Sequence, residues 1–281
     1  MRQWALVGVA GLAAALGAVS LALAGPHSAD GPALRNLAEV NFVSGCRFSH
    51  RAPDDPIVAP GKPGASHDHS FVGNRSTNAF STAETLLAAS SSCRRDGDTA
   101  AYWMPTLLAD GLPVAPLHAT IYYRRHTLAE VQPFPPGFRM IAGDAKATSP
   151  QAKQVTFWSC GALAGIPPSS EVPTCPQDRR TSLRLHVRFP NCWDGVHLDT
   201  ADHKSHMAYA RRGRCPSSHP VALPAIALIY HYPVFGGPGV TLTSGGAYSG
   251  HADFFNAWRP DALASLVDGC LNALRHCGQG V

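Results

Sequence analysis

The stretch that decides the fold is Leu183-Arg184-Leu185-His186-Val187-Arg188-Phe189, in which apolar residues alternate with charged or polar ones. Because successive side chains of a strand point to opposite faces, this alternation predicts a strand with one buried and one hydrated face. Further strand patterns lie on both sides of it, over 39–46, 101–108, 112–124, 138–142, 154–160, 221–234 and 240–243. The sequence therefore predicts a mainly β chain, with an antiparallel β-sandwich-like domain and long loops.

Turn and helix signals complete this outline. Ala109-Asp110-Gly111 separates two of the strand candidates and predicts a hairpin turn. Residues 51–66 are rich in proline and glycine, which predicts a loop. Ser81-Thr82-Ala83-Glu84 has the pattern of a capping box and predicts a short helix near 82–90. Apolar residues recur at helical spacing after Pro260, which predicts a C-terminal helix near 260–275.

The N-terminal segment predicts export. Arg2 precedes an uncharged, apolar run over 4–24, and Ala22-Leu23-Ala24 has the small-x-small form of a cleavage site. We expect a signal peptide over 1–24, a loose leader over 25–38 and a single disulfide-tied β-rich domain over 39–281. The alternative is an uncleaved anchor, since about 20 apolar residues can span a bilayer. No other run of the sequence is as long and apolar, so we expect no membrane contact beyond this segment.

The cysteines agree with export, because disulfides persist in oxidising compartments. The sequence has 8 cysteines, an even number, and none forms a C-x-x-C pair of the kind that binds zinc or exchanges thiols. Eight cysteines allow about 105 pairings. We predict the pairs of neighbours along the chain: Cys46–Cys93, Cys160–Cys175, Cys192–Cys215 and Cys270–Cys277. The last pair requires the helix to end before Cys277, because seven helical residues rise about 10.5 Å and a disulfide needs Cα atoms within about 7 Å.

The charge composition argues against a nucleic-acid partner. The formal net charge is +4, and the sequence contains no run of Lys or Arg. A dedicated nucleic-acid-binding protein normally carries a basic stripe. We therefore predict no nucleic-acid binding.

Three polar segments collect most of the groups able to do chemistry: 66–78, 191–206 and 249–258. In extended chain, His67 and His69 point to one face, as do His251 and Asp253. Imidazole titrates near neutral pH and a carboxylate can orient it, so these pairs suit proton transfer. The candidate catalytic or orienting residues are His67, His69, Asp202, His203, His206, His251 and Asp253.

Some of the same groups suit a divalent metal, and neighbouring residues suit a sugar. His67, His69, His251 and Asp253 form a plausible nitrogen and oxygen ligand set for zinc or copper. Asn78, Trp193 and Trp258 are the candidate substrate contacts, because indole rings stack on sugar rings and two of them lie within the polar segments.

The residue patterns leave three functions open. The first is a secreted or cell-wall protein that acts on extracellular polysaccharide as a hydrolase or lyase, through His/Asp acid–base chemistry. The second is a non-catalytic glycan- or metal-binding module of the wall, which needs the same groups without turnover. The third is a purely structural role, in which the polar segments fix long loops by hydrogen bonds. Whether the chain is an enzyme stays open at this point.

Several motifs together resemble those of the exported domain-of-unknown-function family nineteen-ninety-six, of actinobacteria and fungi. They run in order over roughly 40–271 and include His67-Asp68-His69, Thr77-Asn78-Ala79-Phe80, Phe189-Pro190-Asn191-Cys192-Trp193-Asp194-Gly195, Asp202-His203-Lys204-Ser205-His206 and His251-Ala252-Asp253-Phe254. The resemblance implies an exported protein that is similar, in fungi, to a wall-associated module. It implies no particular activity.

Overall fold

The computed structural model describes Met1, Leu37 and residues 39–178 and 180–279. The expected signal peptide and most of the expected leader lie outside the described residues. Within the described residues, no helix is long and apolar enough to cross a membrane.

Strands dominate the chain, as predicted. They are β1 Asn41–Ala52, β2 His69–Gly73, β3 Ala101–Pro105, β4 Leu107–Ala109, β5 Leu112–Val114, β6 His118–Arg124, β7 Arg139–Gly143, β8 Thr156–Ser159, β9 Arg184–Arg188, β10 Cys192–Trp193, β11 Met207–Ala208, β12 Val221–Ala222, β13 Ala225–His231, β14 Val240–Leu242, β15 His251–Phe255 and β16 His276–Gln279. The helical elements are α1 Ala83–Ala88, a 3₁₀ turn Ala162–Ala164, α2 Pro260–Leu266 and a π-helical turn Val267–Asn272.

Ten strands form one large sheet in the order β7-β15-β3-β2-β1-β6-β13-β9-β8, with β16 pairing parallel to β1. All pairings along that order are antiparallel. The long strand β1 joins the two halves: its residues 41–47 pair with β6, and its residues 48–52 pair with β2, with a register shift between Phe48 and His50. These pairings confirm the prediction of a mainly antiparallel β fold. The sheet nearly closes on itself.

Three of the predicted strands are interrupted. The 101–108 pattern forms β3 and β4, the 112–124 pattern forms β5 and β6, and the 221–234 pattern forms β12 and β13 with Pro224 between them. Proline has no backbone N–H to give to a ladder, which explains the break at Pro224. The predicted hairpin turn is present, since Ala109 pairs with Leu112 and both Asp110 and Gly111 have positive φ, as a tight hairpin turn requires.

The helix predictions are confirmed with changes at the ends. Thr82, not Ser81, caps α1, because its hydroxyl accepts the N–H of Thr85 while the Thr85 hydroxyl accepts the N–H of Thr82. The C-terminal helix ends at Asn272, and Leu274 turns the chain back with a φ of 55°. The four disulfides are the four predicted pairs, and the Cα atoms of Cys270 and Cys277 lie 5.9 Å apart.

The main core lies inside the curled sheet and contains a buried polar network. The Tyr102 hydroxyl contacts the Asp98 carboxyl at 3.0 Å and the Tyr123 hydroxyl at 2.6 Å, and the Trp258 indole N–H donates to Tyr123 Oη at 2.9 Å. Burial raises the pKa of Asp98 to about 7, although hydrogen bonds from Ser44 and Tyr102 oppose the shift. Trp258 is 2% exposed, and its indole N–H is held within this network, so the ring packs in the core.

Candidate functional site: a buried histidine and carboxylate cluster

Strands β2 and β15 carry the centre of the site. They flank β3, and the register places Phe71 and Asp253 on either side of Trp103. Side chains alternate along each strand, so His69 lies on the same face as Phe71, and His251 on the same face as Asp253. That face points away from the main core, towards a smaller apolar cluster that includes Ile57, Phe71, Trp103, Ile141 and Phe255.

Three imidazoles from distant parts of the sequence meet on this face. The ring centroids of His67 and His69 are 4.2 Å apart, those of His67 and His251 are 5.0 Å apart, and those of His69 and His251 are 5.9 Å apart. One ring nitrogen from each lies within 4.8 Å of the other two. His69 and His251 are buried, while His67 is half-buried. The three imidazoles therefore form a largely buried cluster of possible metal-ligand nitrogens, and His67 is its most exposed member.

Backbone carbonyls fix which nitrogen two of these rings present. His69 Nδ1 lies 3.0 Å from the carbonyl of Asp54, and His251 Nδ1 lies 2.9 Å from the carbonyl of Ser249. A carbonyl only accepts, so each Nδ1 carries the proton and donates, which leaves Nε2 as a free lone pair. Metal-binding histidines commonly show this arrangement, in which the second nitrogen donates to a carbonyl or carboxylate.

Two buried carboxyl groups complete the set. One oxygen of Asp55 and one of Asp253 lie within 4.8 Å of each other and of a His69 ring nitrogen. Asp253 Oδ2 is 4.0 Å from His251 Nε2, which is longer than a hydrogen bond. Asp55 also accepts the backbone N–H groups of Ile57 and Val58, so the 53–66 loop holds it over the sheet.

Several polar atoms of the cluster have no protein partner. Among the described residues, His67 Nε2, His69 Nε2 and both carboxyl oxygens of Asp253 are buried without a hydrogen bond. A buried polar group without a partner costs about 1–3 kcal/mol, and native proteins keep few of them. Four such atoms lie together in one cluster and are free to contact a ligand.

Burial sets the charge state of the cluster. It lowers the pKa of His67, lowers the pKa of His69 well below its usual range and lowers the pKa of His251 to about 4. Burial also raises the pKa of Asp253 well above its usual range, and the nearby Asp55 adds to that shift. Neutral imidazoles are the form that binds a metal, and a cation would favour the ionised carboxylate.

The 199–206 loop closes one side of the site. His203 Nδ1 is 2.8 Å from Asp199, which also lies 3.5 Å from Arg139 Nε. The His203 carbonyl accepts the N–H of Ile141 on β7, which fixes the loop to the sheet edge. Lys204 donates to the carbonyl of Gly143 at 2.6 Å. His203 thus lies at the rim as an oriented imidazole.

Other candidate residues have structural contacts or lie apart from the cluster. Both nitrogens of His206 are engaged, by the Thr200 hydroxyl and the Arg139 carbonyl. Asp202 accepts from the backbone of the loop that follows it, and Asn78 caps its own turn. Trp193 is half-buried, and its indole N–H donates to the His197 carbonyl.

Sequence reasoning missed Asp55 and the positions of β2 and β15. Both strands are buried on both faces, so they show no alternation. Asp55 lies in the proline-rich loop, and its sequence context resembles an ordinary turn. The signal that was available was the His-x-His and His-x-Asp spacing itself.

The fold and site define an antiparallel β protein with a buried cluster of histidines and carboxylates. The chain belongs to the family described as Domain of unknown function (DUF1996), whose model matches residues 55–258. The matched segment begins at Asp55 and runs past β15, so it contains every residue of the cluster. No curated protein matches the chain, and no solved structure matches it.

Proposed function

We propose that this protein is a metalloprotein that holds one divalent transition-metal ion through His67, His69 and His251. The fourth ligand would be Asp253, which forms a second group with His69 and Asp55 and whose Oδ2 lies 4.0 Å from His251 Nε2. The observation that carries the proposal is the convergence of three imidazole nitrogens within 4.8 Å, two of them with Nδ1 fixed by a carbonyl. Three histidines and a carboxylate suit zinc best, because imidazole and carboxylate are both common zinc ligands. Asp55 lies close enough to Asp253 to help balance the charge of the ion.

Elemental analysis of the protein, purified without chelator, tests this proposal. We expect about one metal ion per chain in the wild type, and a loss of most of it in His69→Ala and in Asp253→Asn. The matched control is His118→Ala, since His118 lies on the other half of the sheet and stacks on His231. Equal metal content in the wild type and both cluster variants would contradict the proposal, as would a metal-free wild type that binds no added zinc.

We propose further that the protein works outside the cytoplasm, as a secreted or wall-associated protein. Four disulfides support this location, since disulfides are rare where thiols are kept reduced. Fractionation of the producing cells, with detection of the mature N-terminus by mass spectrometry, tests both export and cleavage after Ala24.

A second function, cleavage of an extracellular polysaccharide, is supported by the His203–Asp199 pair at the rim. A carboxylate that holds Nδ1–H leaves the other nitrogen free to take a proton, as a general base requires. A metal beside it would supply a Lewis acid and lower the pKa of a bound water. His203 would then accept a proton, either from the water that attacks the glycosidic bond in a hydrolase or from a sugar carbon in a lyase.

A panel of wall polysaccharides, incubated with the wild type and with His203→Gln, tests this second function. Products that require the metal and decline at least about 100-fold in the variant would support it. Binding without products would favour a metal-containing module that recognises glycans.

A further inference from the structure

A second set of polar and charged groups lies on strands β1, β6, β13 and β9 of the same sheet. The register places Arg47 of β1 opposite His118 of β6, His118 opposite His231 of β13, and His231 opposite Arg184 of β9. The two imidazole rings stack with centroids 4.2 Å apart. Four nitrogen-bearing side chains therefore form one row across four strands, which spans about 14 Å at the usual strand spacing.

On the same face, towards the other end of these strands, lies a depression of about 470 Å³. Arg124 is opposite Ala225 and Arg188 is opposite Ala227, so the two arginines flank β13 from either side. Because alanine side chains are short, Ala225 and Ala227 leave space between the two guanidinium groups. A neighbouring depression of about 570 Å³ continues past Tyr209.

The two arginines are held in place. The Arg124 guanidinium carbon is 4.3 Å from the centre of the Tyr122 ring, and that of Arg188 is 4.8 Å from the centre of the Phe157 ring. Such stacking leaves the N–H groups at the edge of each guanidinium plane directed outward. Within the described part of the chain, the buried Arg124 Nε has no hydrogen-bond partner.

No carboxylate offsets these charges nearby. The residues described as lining the two depressions include no Asp or Glu, and strands β1, β6, β9 and β13 contain none. Burial, followed by the charges of Arg188, Arg184 and Arg124, lowers the pKa of His186 to about 3. The field on this face is therefore positive at neutral pH.

We propose that this face binds an anionic polysaccharide, whose carboxylate or phosphate groups sit between Arg124 and Arg188. Guanidinium groups bind such oxyanions with paired, charge-assisted hydrogen bonds. Arg124 and Arg188 lie at the depression, and Arg47 and Arg184 lie at the other end of the same strands. Charges at both ends of this face suit a chain with repeating charges better than a single small anion. This inference rests on the proposed extracellular location. If the protein also cleaves a polysaccharide, as proposed above, the inference identifies that substrate as an anionic one.

The same residues argue against nucleic acid as the ligand. Proteins that bind single strands use free aromatic faces on which bases stack. Here the guanidinium groups of Arg124 and Arg188 stack on the rings of Tyr122 and Phe157, and Tyr209 is a single aromatic side chain beside both depressions, so successive bases would lack a row of rings on which to stack.

Affinity electrophoresis at low ionic strength tests the proposal, with polygalacturonate as the carboxylated probe, teichoic acid as the phosphorylated probe and dextran as the neutral one. We expect the wild type to be retarded by at least one anionic polymer, less so as salt is added, and not by dextran. The Arg124→Gln/Arg188→Gln variant should bind at least about tenfold more weakly. The control, Arg75→Gln/Arg275→Gln, removes the same charge from two exposed positions and should change binding less than about twofold.

Three results would overturn the proposal: no retardation by either anionic polymer, an equal loss in the control variant, or tighter binding of a single-stranded DNA oligonucleotide than of both polymers. Metal content measured on the same samples separates this test from that of the metal site. A variant that keeps its metal but loses the polymer locates polymer binding at this face alone.

Discussion

Removal of one histidine nitrogen should abolish most of the stabilisation that zinc gives to this protein. The change is His251→Asn, because the Asn amide N–H can replace Nδ1–H as the donor to the Ser249 carbonyl while Nε2 is lost. The fold should therefore survive, and the ligand set should fall from four groups to three.

The magnitude follows from linkage. A ligand at 1,000 times its Kd stabilises the folded state by about 4.1 kcal/mol. For domains of 150–250 residues, about 1 kcal/mol shifts the Tm by roughly 2–4 °C, so zinc should raise the wild-type Tm by roughly 8–16 °C. If the loss of Nε2 weakens affinity about 100-fold, zinc at the same concentration gives about 1.4 kcal/mol, or roughly 3–6 °C.

Differential scanning fluorimetry of chelator-treated protein, with and without zinc, measures both shifts. The matched control is His186→Asn, which removes a half-buried imidazole that stacks on Phe157 outside the cluster. Its own Tm is expected to fall, but its zinc-induced increment should equal that of the wild type. The reasoning is refuted if zinc raises the Tm of His251→Asn as much as it raises that of the wild type.

Three further predictions concern stability. Relative to Asp98→Asn, the wild type should lose a few kcal/mol of its free energy of unfolding as pH rises from about 4 through 7, since burial raises the pKa of Asp98 to about 7 and the stabilisation from its protonated form is lost as pH rises through that value; urea titrations of both proteins across this pH range measure the difference. Removing the disulfide with Cys160→Ala/Cys175→Ala opens a loop of 15 residues and should cost about 3 kcal/mol, which the urea midpoint at constant m-value would show. Trp258→Phe loses the bond to Tyr123 Oη and should cost about 1–3 kcal/mol by denaturation, while polymer retardation of the folded variant stays unchanged; a loss of polymer binding would restore Trp258 as a contact.

The sequence predicted strands whose residues alternate or are mainly apolar, and missed two buried strands that begin with polar residues. The alternation over 183–189 identified β9, and Asp110-Gly111 identified the β4–β5 turn. By contrast, His69–Gly73 and His251–Phe255 are buried on both sides, and their polar residues resemble a loop when they are seen alone. Local patterns report exposure, so they fail where a polar strand is covered by a second layer.

The candidate site shows the same division. The His-x-His and His-x-Asp spacings selected His67, His69, His251 and Asp253, which the fold brings together. The equally polar segment around His206 was selected for the same reason, yet both of its nitrogens have partners within the structure. Hydrogen bonds between distant segments decide which histidine keeps a free ring nitrogen. The spacing of histidines along the sequence cannot predict those bonds.

The amino-acid pattern alone determined the β class, the two helices and the pairing of neighbouring cysteines, because these depend on contacts along the chain or on periodic burial. Tertiary structure decided the rest. The sequence contains no run of basic residues, yet strand register aligns Arg47 with Arg184 through two histidines and creates a cationic face. Register also places His69 and Asp253 on neighbouring rows of one sheet face, although 184 positions separate them in the sequence. Pairing across strands is fixed by the packing of the whole sheet, so only the folded chain creates these two sites.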